Sequence, residues 1–231
     1  MALYAIGDLH LSLGAPKPMD IFGGAWHGYM DKLREAFSQT VGPEDVTVLC
    51  GDLCWAMTLE EALPDFHFVH NLPGRKILLK GNHEYWWSSA SKIQTFLDAN
   101  GFDSVSLLHN NFLPYGDTMA ICGTRGWFYE EGSGSAHDKK LMDREVLRLE
   151  SSLRQAGDRE KLVFLHYPPV YGSYVCPEIL ALLRQYAVTV CCSGHLHADS
   201  LRLAFNGELD GTRFHCVSAD ALAFRPLRIA D

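Results

Sequence analysis

No run of this 231-residue chain approaches the ~18 apolar residues of a membrane span, so no transmembrane helix is expected. Basic residues are the minority. Lys and Arg number 20 against 28 Asp and Glu, a net charge of −8, which argues against a broad nucleic-acid surface because phosphate backbones are gripped by Lys and Arg. The seven cysteines contain no CxxC pair or other zinc spacing, and their odd number excludes complete disulfide pairing. Cys50, Cys122, Cys191, Cys192 and Cys216 stand in or beside apolar runs and are expected as buried free thiols. The opening Met1-Ala2-Leu3-Tyr4-Ala5-Ile6-Gly7-Asp8 has neither the basic nor the long apolar segment of a secretory leader, and a reducing cytoplasm is the expected setting. Internal repeats and low-complexity tracts are also missing. What is present is 47% hydrophobic and 21% charged, an ordinary globular composition that predicts one domain over 1–231 with a sizeable core.

Short apolar runs bounded by glycine or charge occur at Ala2 to Ile6, Val46 to Cys50, Lys76 to Leu79, Met119 to Cys122, Leu162 to Leu165 and Val188 to Cys192. They read as buried strands. Helical spacing occupies His27 to Thr40, Thr58 to Asn71, Ser88 to Asn100, Asp138 to Ala156 and Pro177 to Gln185, each ending near Gly, Asn or Pro. Alternating strands and helices predict an α/β layered fold. From Leu201 to Ile229, turn signals at Asn206-Gly207 and Asp210-Gly211 predict antiparallel pairing. Two long loops, 12–26 and 128–136, are rich in Gly with Pro or Ser, and such loops are often functional.

Polar residues that follow strands matter most, because ligands of open α/β sheets bind at the carboxyl ends of strands. Five strand ends are so loaded: Gly7-Asp8-Leu9-His10, Gly51-Asp52, Gly81-Asn82-His83-Glu84, His166-Tyr167-Pro168-Pro169 and Gly194-His195-Leu196-His197. Singly each is weak, since Asp-x-His also serves as a helix cap beside a satisfied histidine. Together they would be costly to bury without partners, and metal ions would supply those partners. A mixed imidazole and oxygen set favours transition-metal dications over calcium.

In this order the motifs resemble those of the calcineurin-like metallophosphoesterases. They span nearly the whole chain, and their ordered combination is far more specific than any one of them. The resemblance implies a β-sandwich of two mixed sheets flanked by α-helices, a four-layer αββα fold with a dinuclear site at one edge. It implies Asp8, His10 and His197 on one divalent ion and Asn82, His166 and His195 on the second, with Asp52 bridging; Mn, Fe or Zn all suit such ligands. Two cations about 3.5–4 Å apart need an anion between them. The implied reaction is hydrolysis of a phosphate ester by in-line attack of a metal-activated hydroxide. His83 holds no ligand position in the family pattern. It is the expected general acid, because histidine titrates near neutrality, and the competing reading has it only hydrogen-bond the substrate.

The substrate expectation rests on departures from the pattern. Protein Ser/Thr phosphatases share Gly-Asn-His-Glu, but their second motif reads Gly-Asp-x-Val-Asp-Arg-Gly, and here Trp55 and Ala56 replace the acid and the arginine. Without that clamp a phosphodiester of small-molecule or nucleotide type is favoured; a phosphomonoesterase or protein phosphatase is the alternative, and a catalytically silent scaffold on the same fold is a third. Arg125 is a candidate phosphate contact, since guanidinium matches phosphate oxygens bidentately, against the plainer reading of a surface arginine closing a turn. Of the aromatics near the motifs, Trp55 and Tyr85 are the substrate candidates, by base stacking, while Trp87 and two of Trp26, Trp86 and Trp127 are expected in the core or at an interface. The expected partner is a small phosphate ester, and nothing in the sequence speaks to oligomeric state.

Overall fold

The computed structural model describes residues 1–17, 19–129 and 134–231. Of the two expected loops, residue 18 and residues 130–133 therefore lie outside the described residues. The elements run β1 (Leu3–Ile6), α1 (Tyr29–Thr40), β2 (Val46–Leu49), α2 (Leu63–His70), β3 (Arg75–Leu79), α3 (Ala90–Ala99), β4 (Val105–Leu108), β5 (Phe112–Tyr115) and β6 (Met119–Thr124). They continue with α4 (Ala136–Gln155), β7 (Glu160–Leu165), β8 (Val170–Tyr171), β9 (Tyr174–Val175), α5 (Pro177–Gln185), β10 (Val190–Ser193), β11 (Gly207–Leu209), β12 (Thr212–Cys216) and β13 (Leu227–Ala230).

Two mixed sheets form the centre. One has the order β13-β1-β2-β3-β4, parallel except for β13, and the other β11-β12-β10-β7-β6-β5, parallel except for β11 and β5. Because side chains alternate along a strand, each strand serves two layers. Leu3, Ala5, Val46, Val48 and Ile77 meet Ile121, Leu162, Phe164 and Cys192 between the sheets. Tyr4, Ile6, Leu49 and Leu78 face outward onto Leu33, Phe37, Phe66, Ile93 and Leu97 of α1, α2 and α3. Ala120, Cys122, Val163 and Leu165 face the opposite way onto α4 and α5, through Met142, Leu149, Leu153, Ile179 and Leu183. The result is the four-layer αββα arrangement.

Local chemistry sets several boundaries. Ser135 and Asp138 form a reciprocal capping box that starts α4. The fully buried Lys76 donates its ammonium to the carbonyls of His70, Leu72 and Gly74 at 3.2, 2.6 and 2.7 Å, satisfying the chain that leaves α2. Of the two expected C-terminal turns, only Asp210-Gly211 joins strands. Both residues have positive φ (52° and 80°), as a type I′ hairpin needs. Asn206-Gly207 instead leads into β11, with Asn206 Oδ1 accepting the Cys216 N–H at 2.8 Å. All seven cysteines are free and buried, including Cys54 and Cys176. No helix among the described residues is long and apolar enough to cross a membrane.

Candidate metal centre

The parallel strands of both sheets end at one edge, and their following loops are stitched together there. After β1 and β2 the chains continue side by side, with Asp8 N–H donating to Gly51 O, His10 N–H to Asp52 O and Leu11 N–H to Leu53 O at 2.8–2.9 Å. Beyond β12, Gly7 N–H donates to Val217 O and Ala219 N–H to Gly7 O, which ties the second sheet to the first. The turns are sharp: Asp8, His10, Asp52 and His195 all have positive φ, between 45° and 72°. Such conformations cost of order 1–3 kcal/mol each in non-glycine residues and gather at functional sites. Gly51, at φ 85°, is required for close approach, because a Cβ there would lie 2.7 Å from both the Gly81 Cα and the His166 Nδ1.

All seven motif residues meet at this edge. His166 Nε2 lies 2.7 Å from Asn82 Oδ1, His195 Nδ1 lies 2.9 Å from the same oxygen, and the two ring nitrogens are 3.2 Å apart. The Nδ1 of His166 faces the Cys50 carbonyl at 3.0 Å, which assigns its proton and leaves Nε2 a lone pair. Burial lowers the His166 and His195 pKa values to about 3, so both rings are neutral. His166 Nε2 and Asn82 Oδ1, 2.7 Å apart, therefore face each other as two lone-pair atoms, and His195 Nδ1 stands within 3.2 Å of both. That is unfavourable for hydrogen bonding and suited to a cation, around which neighbouring ligand atoms at roughly 2.1 Å bond length stand about 3 Å apart.

A second cluster adjoins the first. Asp8, His10 and Asp52, all buried, offer ligand atoms within 4.8 Å of one another. Both ring nitrogens of His10 and Nδ1 of His197 are buried without a hydrogen-bond partner among the described residues, and the two rings lie 5.1 Å apart, edge to face. Asp52 stands between the clusters, with Oδ2 3.8 Å from His10 Nε2 and 3.6 Å from His166 Nε2. Burial raises the Asp52 pKa to about 7, and burial with the Asp52 charge pushes Asp8 well above the carboxylate range. Two buried carboxyls, four neutral imidazoles and orphaned nitrogens form a donor set that fits divalent cations.

The remaining candidates lie around this pair of clusters. The His83 N–H donates to Asp52 Oδ1 at 2.8 Å, its Nε2 is 3.9 Å from Oδ2, and its Nδ1 is 3.1 Å from the Tyr85 hydroxyl. Burial, then Lys17 and His197, lower the His83 pKa to about 4, opposite to what a general acid at neutral pH needs. Trp55 is buried, stacked on His10 at 4.7 Å and tilted against His83 at 4.5 Å, with the Lys17 ammonium 3.3 Å from its ring centre. Tyr85 is 54% exposed beside His83 and open to a ligand. Arg125 lies over Trp127 at 4.6 Å and its buried Nε has no partner among the described residues. Trp26, Trp86 and Trp87 are in the core.

Sequence reasoning missed two contributors and the role of a third. Glu84 is buried and accepts the N–H groups of Gly81, Leu53 and Asp52, the last at 3.1 Å, so it clamps two ligand loops rather than marking a substrate class. Asp220, which follows β12 as the other loaded residues follow their strands, accepts the Ala198 N–H at 2.7 Å and fixes the turn after His197. Lys17 comes from a loop with no motif.

A family model described as calcineurin-like phosphoesterase matches residues 1–199. No curated protein matches the chain. Among solved structures, a phosphopantetheinyl hydrolase from Mycobacterium tuberculosis superposes with a TM-score of 0.62 at 16% identity, covering 99% of this chain and 95% of its own. The protein TT1561 of Thermus thermophilus gives 0.60 at 12% identity over 99% and 97% of the two chains, and a protein of unknown function from Aquifex aeolicus, AQ665, gives 0.51 at 13% over 98% and 95%. These likenesses are of fold.

Proposed function

The chain belongs to the calcineurin-like phosphoesterases, and from that premise we propose that it is a metal-dependent phosphohydrolase with a dinuclear centre that cleaves a small or nucleotide-like phosphodiester. The observation that carries this reading is the convergence of His166 Nε2, His195 Nδ1 and Asn82 Oδ1 within 2.7–3.2 Å, with no proton between His166 Nε2 and Asn82 Oδ1. Asn82, His166 and His195 would hold one ion, Asp8, His10 and His197 the other, and Asp52 both. Divalent ions in these places, with Mn²⁺, Fe or Zn all suited to the ligands, supply the positive charge that acidifies water and offsets charge on the phosphoryl oxygens.

The chain's own groups do the rest. Glu84 and the stitched loops hold the ligands in place before any ion arrives. His83, fixed through its backbone to Asp52, presents Nε2 beside the centre and donates a proton to the leaving oxygen once an anionic substrate raises its low pKa. Trp55 holds the rings of His10 and His83 by stacking. Tyr85 and Arg125 contact the substrate, and no charged clamp for a phosphomonoester stands at Trp55 and the buried Ala56. Seven unpaired thiols fit a reducing, cytoplasmic setting.

Metal analysis of the purified protein with a panel of aryl phosphomonoesters and diesters tests the reading. We expect two divalent ions per chain and Mn²⁺-dependent hydrolysis faster on the diester. Absence of bound metal together with inertness toward every ester would overturn it.

A further inference from the structure

Beside the candidate centre, a cavity of about 430 Å³ opens between β3, β6 and α4. Among the described residues four cations line it, Lys80, Arg125, Arg144 and Arg148, against a single carboxylate, Glu145. In a protein of net charge −8 such a concentration is anomalous. Glu145 is fully buried and already committed: it accepts from the Thr124 hydroxyl at 2.6 Å, the Gly126 N–H at 3.2 Å and the Arg148 guanidinium at 2.6 Å. It neutralises Arg148 at most. Lys80 and Arg144 make no hydrogen bond or ion pair among the described residues, and the buried Arg125 Nε is orphaned.

The cavity adjoins the metal loops through its own lining residues. Lys80 precedes Gly81-Asn82, and the Arg125 carbonyl accepts the N–H groups of His166 and Tyr167 at 3.1 and 2.9 Å. Its outer wall is one face of α4, where Leu141, Arg144, Glu145 and Arg148 recur at helical spacing. Trp87 and Trp127 contribute aromatic surface. His109, which also lines the cavity, has its pKa lowered by burial, then by Arg148 and Lys80, with Glu145 opposing.

We propose that this cavity is a second anion subsite, which seats a phosphoryl group of the substrate other than the one being cleaved. The substrate class is then a phosphodiester that carries an additional phosphate, such as a nucleoside phosphodiester phosphorylated elsewhere on its sugar. Guanidinium pairs suit a dianionic phosphate bidentately, and the volume lies within the range of small-ligand sites. The inference rests on the phosphoesterase reading for the scissile group only; binding in the cavity is separable from turnover.

Calorimetric titration of the Mn²⁺-loaded full chain with a nucleoside monophosphate and the bisphosphate of the same nucleoside tests the subsite. The bisphosphate is expected to bind at least ~10-fold more tightly, and Arg144→Glu, on an exposed and unpartnered side chain, to erase that difference while circular dichroism and metal content report an intact fold. In parallel, p-nitrophenyl phosphodiesters of one nucleoside with and without a second sugar phosphate should differ about 10-fold in kcat/KM, mainly through KM. Equal binding of the two nucleotides, or a preference that survives Arg144→Glu, would overturn the subsite even if both esters are hydrolysed. A preference lost in Arg144→Glu with neither ester hydrolysed would uphold the subsite and remove the phosphoesterase reading instead.

Discussion

Glu84 Oε2 accepts the backbone N–H of Asp52 at 3.1 Å, so a carboxylate at the end of one motif holds the residue placed between both candidate metal clusters. The same side chain accepts from Gly81 and Leu53. Its pKa is raised to about 8, by burial first and the Asp52 charge second, with the three N–H groups opposing. Glu84→Ala leaves three buried donors without partners at roughly 1–3 kcal/mol each. We expect loss of most of the fold's stability in denaturant titration. Glu84→Gln keeps the volume but turns an NH₂ toward an N–H, and should fold while losing about 10–100-fold in Mn²⁺ affinity, as removal of groups that orient metal ligands does. Unchanged Mn²⁺ affinity in Glu84→Gln would show that the clamp does not set the site.

How far the sequence reveals this arrangement differs by element. The six strands inferred from apolar runs are found within two residues of their ends, because strands covered on both faces read as continuous hydrophobic stretches. Strands β4 and β5 escape notice for the opposite reason. Both lie at sheet edges, with the partly exposed Ser106 and Leu107 in one and Pro114 in the other, where proline is tolerated. The seven candidate ligands were legible because each follows a strand, four of them directly after glycine. The Glu84 clamp was not, since its partners are backbone amides that a sequence does not distinguish. Nor was the basic cavity, where Lys80 and Arg144 meet only through the fold.

His83 has a discriminating test in leaving-group chemistry. A p-nitrophenolate departs without a proton, whereas an alkoxide needs one. If His83 supplies it, His83→Ala should lower kcat/KM by about 10²–10⁴ on an alkyl diester and far less on the aryl ester, with metal content retained. The kcat/KM profile for the alkyl ester should fall as pH rises past the His83 pKa, which burial, Lys17 and His197 hold below the ordinary imidazole value. Lys17→Ala removes one of these causes and should move that limb to higher pH. Equal losses on both esters would reduce His83 to a binding role.

The metal-free protein should show an unusual stability profile. His166 and His195 titrate at about 3 and His83 at about 4, below their unfolded value near 6.5, so up to about pH 6.5 the unfolded chain binds more protons and stability rises with pH. Asp52 at about 7 and Glu84 at about 8 lie above their unfolded values, so from about pH 4 to 8 the folded chain binds more protons and stability falls. Between roughly pH 6.5 and 8 only the second effect remains. Tm of the metal-free protein should drop across that interval. Mn²⁺, which requires ionised carboxylates, should raise Tm more at about pH 8 than at about pH 6.5. A metal-free Tm that climbs over this range would contradict these buried carboxyls.

Gly194 supplies the last test, because its role is steric and leaves the donor set untouched. A Cβ on Gly194 would stand 2.5 Å from Asp8 Oδ2 and 3.2 Å from the Cys50 carbonyl, and Asp8 is already held by the His195 N–H at 2.8 Å. Neither the carboxylate nor the backbone behind it can yield cheaply, so Gly194→Ala displaces Asp8 from its cluster. Gly116→Ala is the comparison: with φ 58° and nothing within 4 Å of an added Cβ, it carries backbone strain without a steric clash. Both variants should lose roughly 1–2 kcal/mol or more in denaturant titration. Only Gly194→Ala should also weaken binding at the Asp8-His10-His197 cluster, seen as the loss of one of two ions in metal analysis. Retention of both ions in Gly194→Ala would separate Asp8 from metal binding.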